Sequence, residues 1–508
     1  MLNQIKEFFR VLGELKYLIP VLRYKFPDPE DNASLAHSFQ DTSARFPDRP
    51  FLYFENEDWT YDQTNKAANA LARYLKKTGV NHGDRIVLFM ENRPSFVVSL
   101  LALNKIGAIA VLINTSLTGD PLIHCINSSD SIKCIFGAER SQPLEDVLDK
   151  INISKQEDFL WVEDTSKYPL PNWAMDLNAA VDLNNDQNLD ETNSVKAKDI
   201  ACYIFTSGTT GVPKAAICPN QKLLAASINI KMAGYRIDEN DCMHNSLPLY
   251  HSTGLLLGLC AVVQAGASTF IKRKFSASTF WEEVQNYNTT ALVYIGELCR
   301  YLANHDPSPA ELNNPLKVMV GNGLRPDVWD TFKDRFAVER IIEIYGASEG
   351  NALFMNLLNK DKTIGMTNAD VALIEYDVAE DNILKGADGY TYAIAQGNML
   401  VGGAGAQAGG SSVQINQQAS GRIPNGALVE REVPLNLGGN GGMLELQLND
   451  ADFGTVQRMV TAINNEFGQS VAYARNGRVI ALDGPMDANA RVNFMARVES
   501  VQLTPAEA

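Results

Sequence analysis

The chain changes character after Lys385. Its last 123 residues, 386–508, contain no Lys, Cys, His or Trp, although all seven cysteines and all six histidines precede that point, and half of the 36 glycines follow Asp381. A step this sharp predicts two folding units of separate origin, joined near "NILKGADGYTYAIAQG", with little mutual interface. Each side has to be read by itself.

From about Asn32 to Asp377, helical patterns alternate with short apolar runs. "TYDQTNKAANALARYLKKTGV" reads as a helix, "DRIVLFM" as a strand, "SFVVSLLALNKIG" as a helix and "AIAVLIN" as a strand, which together predict βαβ units around a mostly parallel sheet. The polar stretch Asp182–Asp199 reads as a linker or surface loop, and a second α/β layer is expected to begin after it. The first 26 residues carry apolar Ile5, Phe8, Phe9, Leu12 and Leu15 at helical spacing, interrupted by Lys6, Arg10, Lys16, Arg23 and Lys25. Charges recur too often for a membrane span or a secretory signal. Two readings remain: a basic amphipathic helix making a peripheral membrane contact through residues 1–26, or a helix packed on its own domain. The net charge of −16 argues against a nucleic-acid partner. An odd number of cysteines without metal-ligand spacing predicts buried, reduced thiols of a cytoplasmic protein.

Chemistry concentrates in "TSGTTGVPK", Thr206–Lys214, directly after the apolar run "IACYIF". Glycines let successive backbone amides point inward, the hydroxyls of Thr206, Ser207, Thr209 and Thr210 are donors to phosphate oxygens, and Lys214 supplies positive charge. The stretch departs from the P-loop spacing because Pro213 precedes Lys214 and Ala215 follows it. Taken alone, it reads equally well as a surface turn.

It does not stand alone. "YIFTSGTTGVPKAAI", "LPLYHSTG", "VMVGNGLRPDVW" and "EIYGASEGN" occur in that order, and together they resemble the adenylate-forming superfamily of acyl-CoA synthetases. "YIGELCRYL" and "GNGLRPDVW" are similar to the branch of fatty acid transport proteins and very long-chain acyl-CoA synthetases. The resemblance covers roughly the first 380 residues and implies activation of a fatty acid or related carboxylate with ATP, Mg²⁺ and coenzyme A. It implies that Thr206, Ser207, Gly208, Thr209, Thr210, Gly211 and Lys214 contact the β- and γ-phosphates. His251 would sit near the reacting carboxylate. Gly321, Asn322 and Gly323 would lie along the adenine and the acyl tunnel, Tyr345 and Gly346 would lie at the adenine with Tyr345 stacked on it, and Ser348 with Glu349 would hold the α-phosphate side and Mg²⁺. Without their motif neighbours, His251 reads as a structural histidine, Glu349 as a surface carboxylate and Tyr345 as a core aromatic.

The tail has its own pattern. "VGGAGAQAGGSS" is flexible by composition. "MLELQLN" alternates like a strand, "FGTVQRMVTAINNEF" places Phe453, Val456, Met459, Val460 and Ile463 at helical spacing, and "GRVIAL" reads as a strand. "YAIAQGNMLVGG", "GRIPNGALVEREVP" and "DFGTVQRMVTAINNEFG" resemble the flagellar P-ring protein, a family of periplasmic rings around the flagellar rod. The resemblances imply an α/β chain: a helical segment 1–28, a truncated adenylate-forming large domain 29–383 with mostly parallel sheets, and a separate small α/β segment 384–508. The synthetase family continues into a small barrel with a "Y-x-T-G-D" aspartate and a mobile domain whose lysine drives adenylation. In this chain "LTGD", Leu117–Asp120, lies too early to be that aspartate, and no lysine follows Lys385. The expected outcome is ATP-dependent fatty acid activation, impaired by truncation. The alternatives are a structural P-ring segment of the flagellar basal body, and a fusion, frameshift or misassembly with no function of its own.

Overall fold

Fifteen short runs before residue 356 pair as strands: β1 (Pro50–Phe54), β2 (Glu57–Thr60), β3 (Arg85–Phe89), β4 (Ile109–Leu112), β5 (Lys133–Gly137), β6 (Phe159–Val162), β7 (Met175–Asp176), β8 (Ile200–Thr206), β9 (Lys214–Pro219), β10 (Cys242–Asn245), β11 (Ser268–Ile271), β12 (Ala291–Ile295), β13 (Val318–Asn322), β14 (Arg340–Gly346) and β15 (Leu353–Met355). The structure is a computed structural model that describes residues 2–164, 168–206, 213–346, 353–365, 393–394, 400–408, 411–422, 428–429, 443–448, 452–485 and 487–501. It separates into two compact units, Met1–Val371 and Ala372–Ala508.

The first unit holds two sheets. One has the order β7-β6-β5-β3-β4-β8-β9, parallel except for the antiparallel edge strand β9. The other has the order β15-β14-β13-β12-β10-β11-β1-β2, parallel except for β2 and β15 at its edges. Parallel strands are covered on both faces, so their sequences are continuously apolar; β4 and β6 are buried at every position.

Two expectations change here. The segment 182–199 does not introduce a second layer, because β8 joins β4 in the first sheet, with Cys202, Tyr203 and Ile204 opposite Ala110, Val111 and Leu112. The second sheet instead takes β1 and β2 from the beginning of the chain. Nor is 182–199 a free linker. It straps α3 (Tyr61–Lys77): the Asn188 side-chain oxygen accepts from Asn65 at 2.9 Å and Asn69 at 3.0 Å, and Arg73 donates to the Asn188 carbonyl at 3.3 Å.

Helix α3 starts where Thr60 and Gln63 form a reciprocal capping box. Its first residue, Tyr61, packs on Phe51 of β1 and on Phe39 of α2 (Leu35–Arg45), with ring centroids 4.7 and 5.3 Å away, and its hydroxyl donates to the Ala267 carbonyl at 2.8 Å. Each of these rings is fully buried and contributes about 1.5–3 kcal/mol of apolar transfer. All seven cysteines are buried.

α1 (Leu2–Arg23) packs on the unit through charge. Glu14 accepts from Arg236 and, at 2.9 Å, from Arg340, while Arg10 donates to the Asn359 carbonyl at 3.0 Å. Leu15, Ile19 and Leu22 share another face and are exposed. No helix among the described residues is long and apolar enough to cross a membrane.

In the second unit the strands Met443–Gln447, Val479–Asp483 and Ala472–Ala474 form an antiparallel sheet in that order. The helix Phe453–Phe467 adds Val456 and Ile463 to its core. Asn464 locks helix to sheet, its side-chain oxygen accepting from the amides of Val471 and Ala472, both at 2.8 Å. Phe453, expected on the apolar stripe, is 76% exposed because it stands in the first turn, beyond the sheet-facing residues. The Gly/Ser-rich stretch is not simply loop: Leu400–Ala408 pairs antiparallel with Ser411–Arg422, since backbone pairing needs no side-chain pattern.

Lys105 ends α4 (Pro94–Lys105) completely buried, and its ammonium donates to Gln40 Oε1 at 3.2 Å. Burial, with a smaller contribution from the positive Arg73, lowers its pKa from 10.5 to about 7. Between those values the unfolded chain keeps a proton that the folded chain has released, so stability rises with pH across about 7 to 10.5. The full difference is on the order of 5 kcal/mol. Lys105→Met should therefore raise the urea midpoint at pH 7 and flatten its rise towards pH 9.5. An unchanged pH slope would contradict the assignment.

Candidate active site

The β8–β9 hairpin carries the loop. Thr206 pairs with Lys214 across it, and the Thr206 hydroxyl donates to the Lys214 carbonyl at 3.4 Å. His124, on the helix Gly119–Ser128, supports the loop's far end: its Nε2–H donates to the Pro213 carbonyl at 3.0 Å. Lys214 is exposed and enters no ion pair among the described residues. β9 alternates buried Ala216 and Cys218 with exposed Ala215 and Ile217, as an edge strand does, and ends in Pro219, which has no amide to give a ladder. Ser207, Gly208, Thr209, Thr210 and Gly211 lie outside the described residues.

A second group stands at the carboxyl ends of β13 and β14. Gly321 is forced by packing: a Cβ there would lie 2.0 Å from the Tyr294 carbonyl oxygen. Gly323 has φ +82°, a conformation that favours glycine. Asn322 and Gly323 are exposed, and Tyr345 is 65% exposed, its ring centroid 6.3 Å from that of Phe354. Below them is a group that the motifs did not assign. Glu343, on β14, is buried and accepts from the amides of Gly323 and Leu324 and, at 2.6 Å, from the Tyr294 hydroxyl. Burial pushes its carboxyl above the ordinary range, against the opposing pull of those donors. The signal was a glutamate inside the buried run "RIIEIYG". Gly346 ends β14, and Ser348 and Glu349 lie outside the described residues.

His251 follows β10, just before a π-helical turn, Thr253–Leu259, a geometry found often at functional sites. Its Nδ1 accepts from the Thr253 amide at 3.3 Å, leaving the proton of the neutral ring on Nε2. Surrounding protein lowers its pKa below 6.5, so the ring is neutral at pH 7. Gly254 is required by contact, since a Cβ would lie 2.5 Å from the Pro248 carbonyl oxygen. No hydrogen bond among the described residues joins His251 to Lys214 or Tyr345.

A cavity of about 530 Å³, lined by Glu55, Glu91, Lys272, Arg273, Lys274 and Tyr287 among others, was not expected from sequence. Its charges are mutually paired. Arg273 holds Asp164 through two bonds of 2.6 and 2.9 Å and Glu55 at 2.7 Å.

Two mostly parallel sheets, with Thr206, a glycine turn and an exposed tyrosine at strand carboxyl ends, define an α/β protein whose polar groups gather where ligands of such folds bind. Residues 39–409 match the AMP-binding enzyme model, and the chain belongs to that family. Residues 382–508 match the model for the flagellar P-ring protein, so two family matches are joined in one chain. The chain is 37% identical over 372 residues to the medium/long-chain-fatty-acid–CoA ligase FadD6 of Mycobacterium tuberculosis, covering 73% of this chain and 60% of that protein. It is 32% identical over 400 residues to the long-chain fatty acid transport protein 6 of Mus musculus, covering 77% and 63%. The chain thus spans less than two thirds of these relatives. Among solved structures, the N-terminal domain of FACL13 from M. tuberculosis aligns with a TM-score of 0.58 at 17% identity, over 72% of this chain and 88% of that one. A long-chain-fatty-acid-CoA ligase, FadD1, from Archaeoglobus fulgidus aligns at 0.57 and 18%, over 71% and 74%.

Gly321→Ala should lower the urea midpoint of the first unit by the equivalent of about 1–3 kcal/mol, since a backbone carbonyl blocks the added methyl. A midpoint equal to wild type would contradict the packing at the β12–β13 junction.

Proposed function

We propose that residues 29–383 form a large domain that activates a fatty acid with ATP, first as an acyl-adenylate and then as an acyl-CoA. The observation that carries this reading is the shared polarity of its parts: the Thr206–Lys214 hairpin, the Gly321–Gly323 turn and Tyr345 all stand at carboxyl ends of parallel strands. The donor set suits a nucleoside triphosphate. The loop's hydroxyls and the exposed ammonium of Lys214 suit phosphate oxygens, and the exposed Tyr345 ring offers a stacking face. Within this reading Thr206, Ser207, Gly208, Thr209, Thr210, Gly211 and Lys214 bind the terminal phosphates, and Ser348 and Glu349 hold the α-phosphate side, Glu349 with Mg²⁺. His251, neutral with its proton on Nε2, offers a hydrogen bond to the attacking carboxylate without adding charge. When held by Glu349, Mg²⁺ would supply charge neutralisation at the phosphates; coenzyme A would be the second substrate, with pyrophosphate leaving in the first step and AMP in the second.

The chain's location in this reading is cytoplasmic, with α1 as a peripheral membrane contact through its exposed Leu15, Ile19 and Leu22 beside Lys16 and Arg23. Residues 384–508 take no part in the chemistry. A second reading, supported by the P-ring match, assigns them to a periplasmic flagellar ring contacting the rod.

A polypeptide of residues 1–508 has no lysine among residues 386–508, and that polypeptide, assayed as such, is expected to adenylate slowly. Losing one preorganised transition-state donor costs about 3–4 kcal/mol, roughly 10²–10³ in rate. The chain should bind ATP and support fatty-acid-dependent pyrophosphate exchange at no more than that fraction of an intact synthetase's rate. Lys214→Ala should abolish what remains. Exchange at the rate of an intact synthetase would overturn the impairment, and absence of ATP binding would overturn the nucleotide reading.

A further inference from the structure

A buried carboxylate without a cation is costly, and Glu343 is one: none of the ion pairs among the described residues includes it, although only 7% of its surface is exposed. Its cost is offset by three donors on two neighbouring strands and their turn. The Gly323 amide and the Leu324 amide, the latter at 3.2 Å, come from the turn after β13, and the Tyr294 hydroxyl, at 2.6 Å, comes from β12. The register of β13 and β14 sets Gly321 directly beside Glu343. Two residues further along the same face of β14 stands Tyr345, exposed where Glu343 is buried.

The turn has little freedom of its own to hold this shape. Gly323 sits at φ +82°, and its carbonyl oxygen would lie 1.8 Å from a Cβ at Gly296. Glycines on both sides therefore let the backbones meet, and the carboxylate supplies the attraction that fixes them. Where stability alone was served, an apolar side chain in this position would avoid the desolvation cost. Bonds to a charged acceptor are shorter and more directional than neutral ones, which is what a turn that must present Asn322 at one distance from Tyr345 requires.

We infer that Glu343 is a positioning residue that holds the Gly321–Gly323 turn against Tyr345, forming the wall on which the base of the nucleotide is received. This rests on the nucleotide reading of the site proposed above. Glu343 acts through the turn and does not touch the phosphates, so its loss should weaken contacts to the nucleoside and leave those to the phosphate loop intact. A residue that served only the fold would weaken both together.

The test uses the full chain as wild type, E343D and E343Q, with AMP and inorganic pyrophosphate as separate probes in titration calorimetry, and amide exchange at Gly323 and Leu324. E343D withdraws the carboxylate by one methylene, and AMP affinity should fall about tenfold, the equivalent of one charge-assisted hydrogen bond. E343Q keeps an acceptor oxygen but loses its charge, and should cost about threefold, a smaller share of the same interaction. In both, pyrophosphate affinity should stay within about twofold of wild type, inside ordinary context variation, and the two amides should exchange faster. E343Q carries the same split if E343D does not fold. Equal losses for both probes, or unchanged AMP affinity in either folded variant, would overturn the inference alone. A wild-type chain that binds pyrophosphate but not AMP removes the base wall and leaves the phosphate loop standing, whereas one that binds neither removes the nucleotide reading and this inference with it.

Discussion

A parallel sheet covered on both faces leaves its strand ends as the places where polar groups can meet a ligand. The described candidate site residues gather there, Lys214 by opening the antiparallel strand β9 opposite Thr206. Thr206 closes β8, Asn322 closes β13, Tyr345 and Gly346 close β14, and His251 stands in the segment that follows β10. The strands themselves are given over to apolar packing, in one cluster that runs from Leu35 and Phe39 to Ile344 and Met355 and a second that includes Val87, Val111, Phe136 and Trp161 on the first sheet. Rings such as Tyr61, held between Phe39, Phe51 and the Ala267 carbonyl, tie the beginning of the chain to the second sheet. The site is thus a consequence of how the sheets are covered, and a buried charge such as Lys105 on α4 bears on stability.

Local signals were legible where they depend on near neighbours. The stretch 60–80 announces α3, and the runs 85–89 and 109–112 announce β3 and β4, because helical patterning and continuous apolarity are written within a few residues. Partners distant in sequence were not legible. An apolar run does not say which sheet it joins, so β8 was assigned to a new layer although its register belongs to β4. The polar stretch 182–199 looked free because its partners, Asn65, Asn69 and Arg73, lie more than a hundred positions away. The strands around 400–422 were hidden because glycine and alanine show no alternation of faces.

The site was partly legible in the same sense. The motifs delivered the loop, the glycine turn, Tyr345 and His251, and the fold set the described ones at strand ends. His124 escaped because a single histidine in "LIHCI" gives no hint of a carbonyl 89 positions later. Glu343 lay inside a quoted motif and was passed over, since the buried carboxylate acquires meaning only once the amides of Gly323 and Leu324 are seen to point at it. The second unit, with its own core of Val456, Ile463, Ile480 and Phe494, has packing of its own and contains no histidine or cysteine and a single lysine, Lys385.

On the function proposed above, the first unit receives a nucleotide at the carboxyl ends of its strands and the second unit takes no part. Hydrogen exchange of the full chain with and without MgATP tests it most directly. Slowed exchange is expected only at amides within 206–214, 321–324 and 345–349, with residues 443–501 unchanged. Protection centred on 443–501, or none in the three strand-end segments at saturating nucleotide, would contradict it.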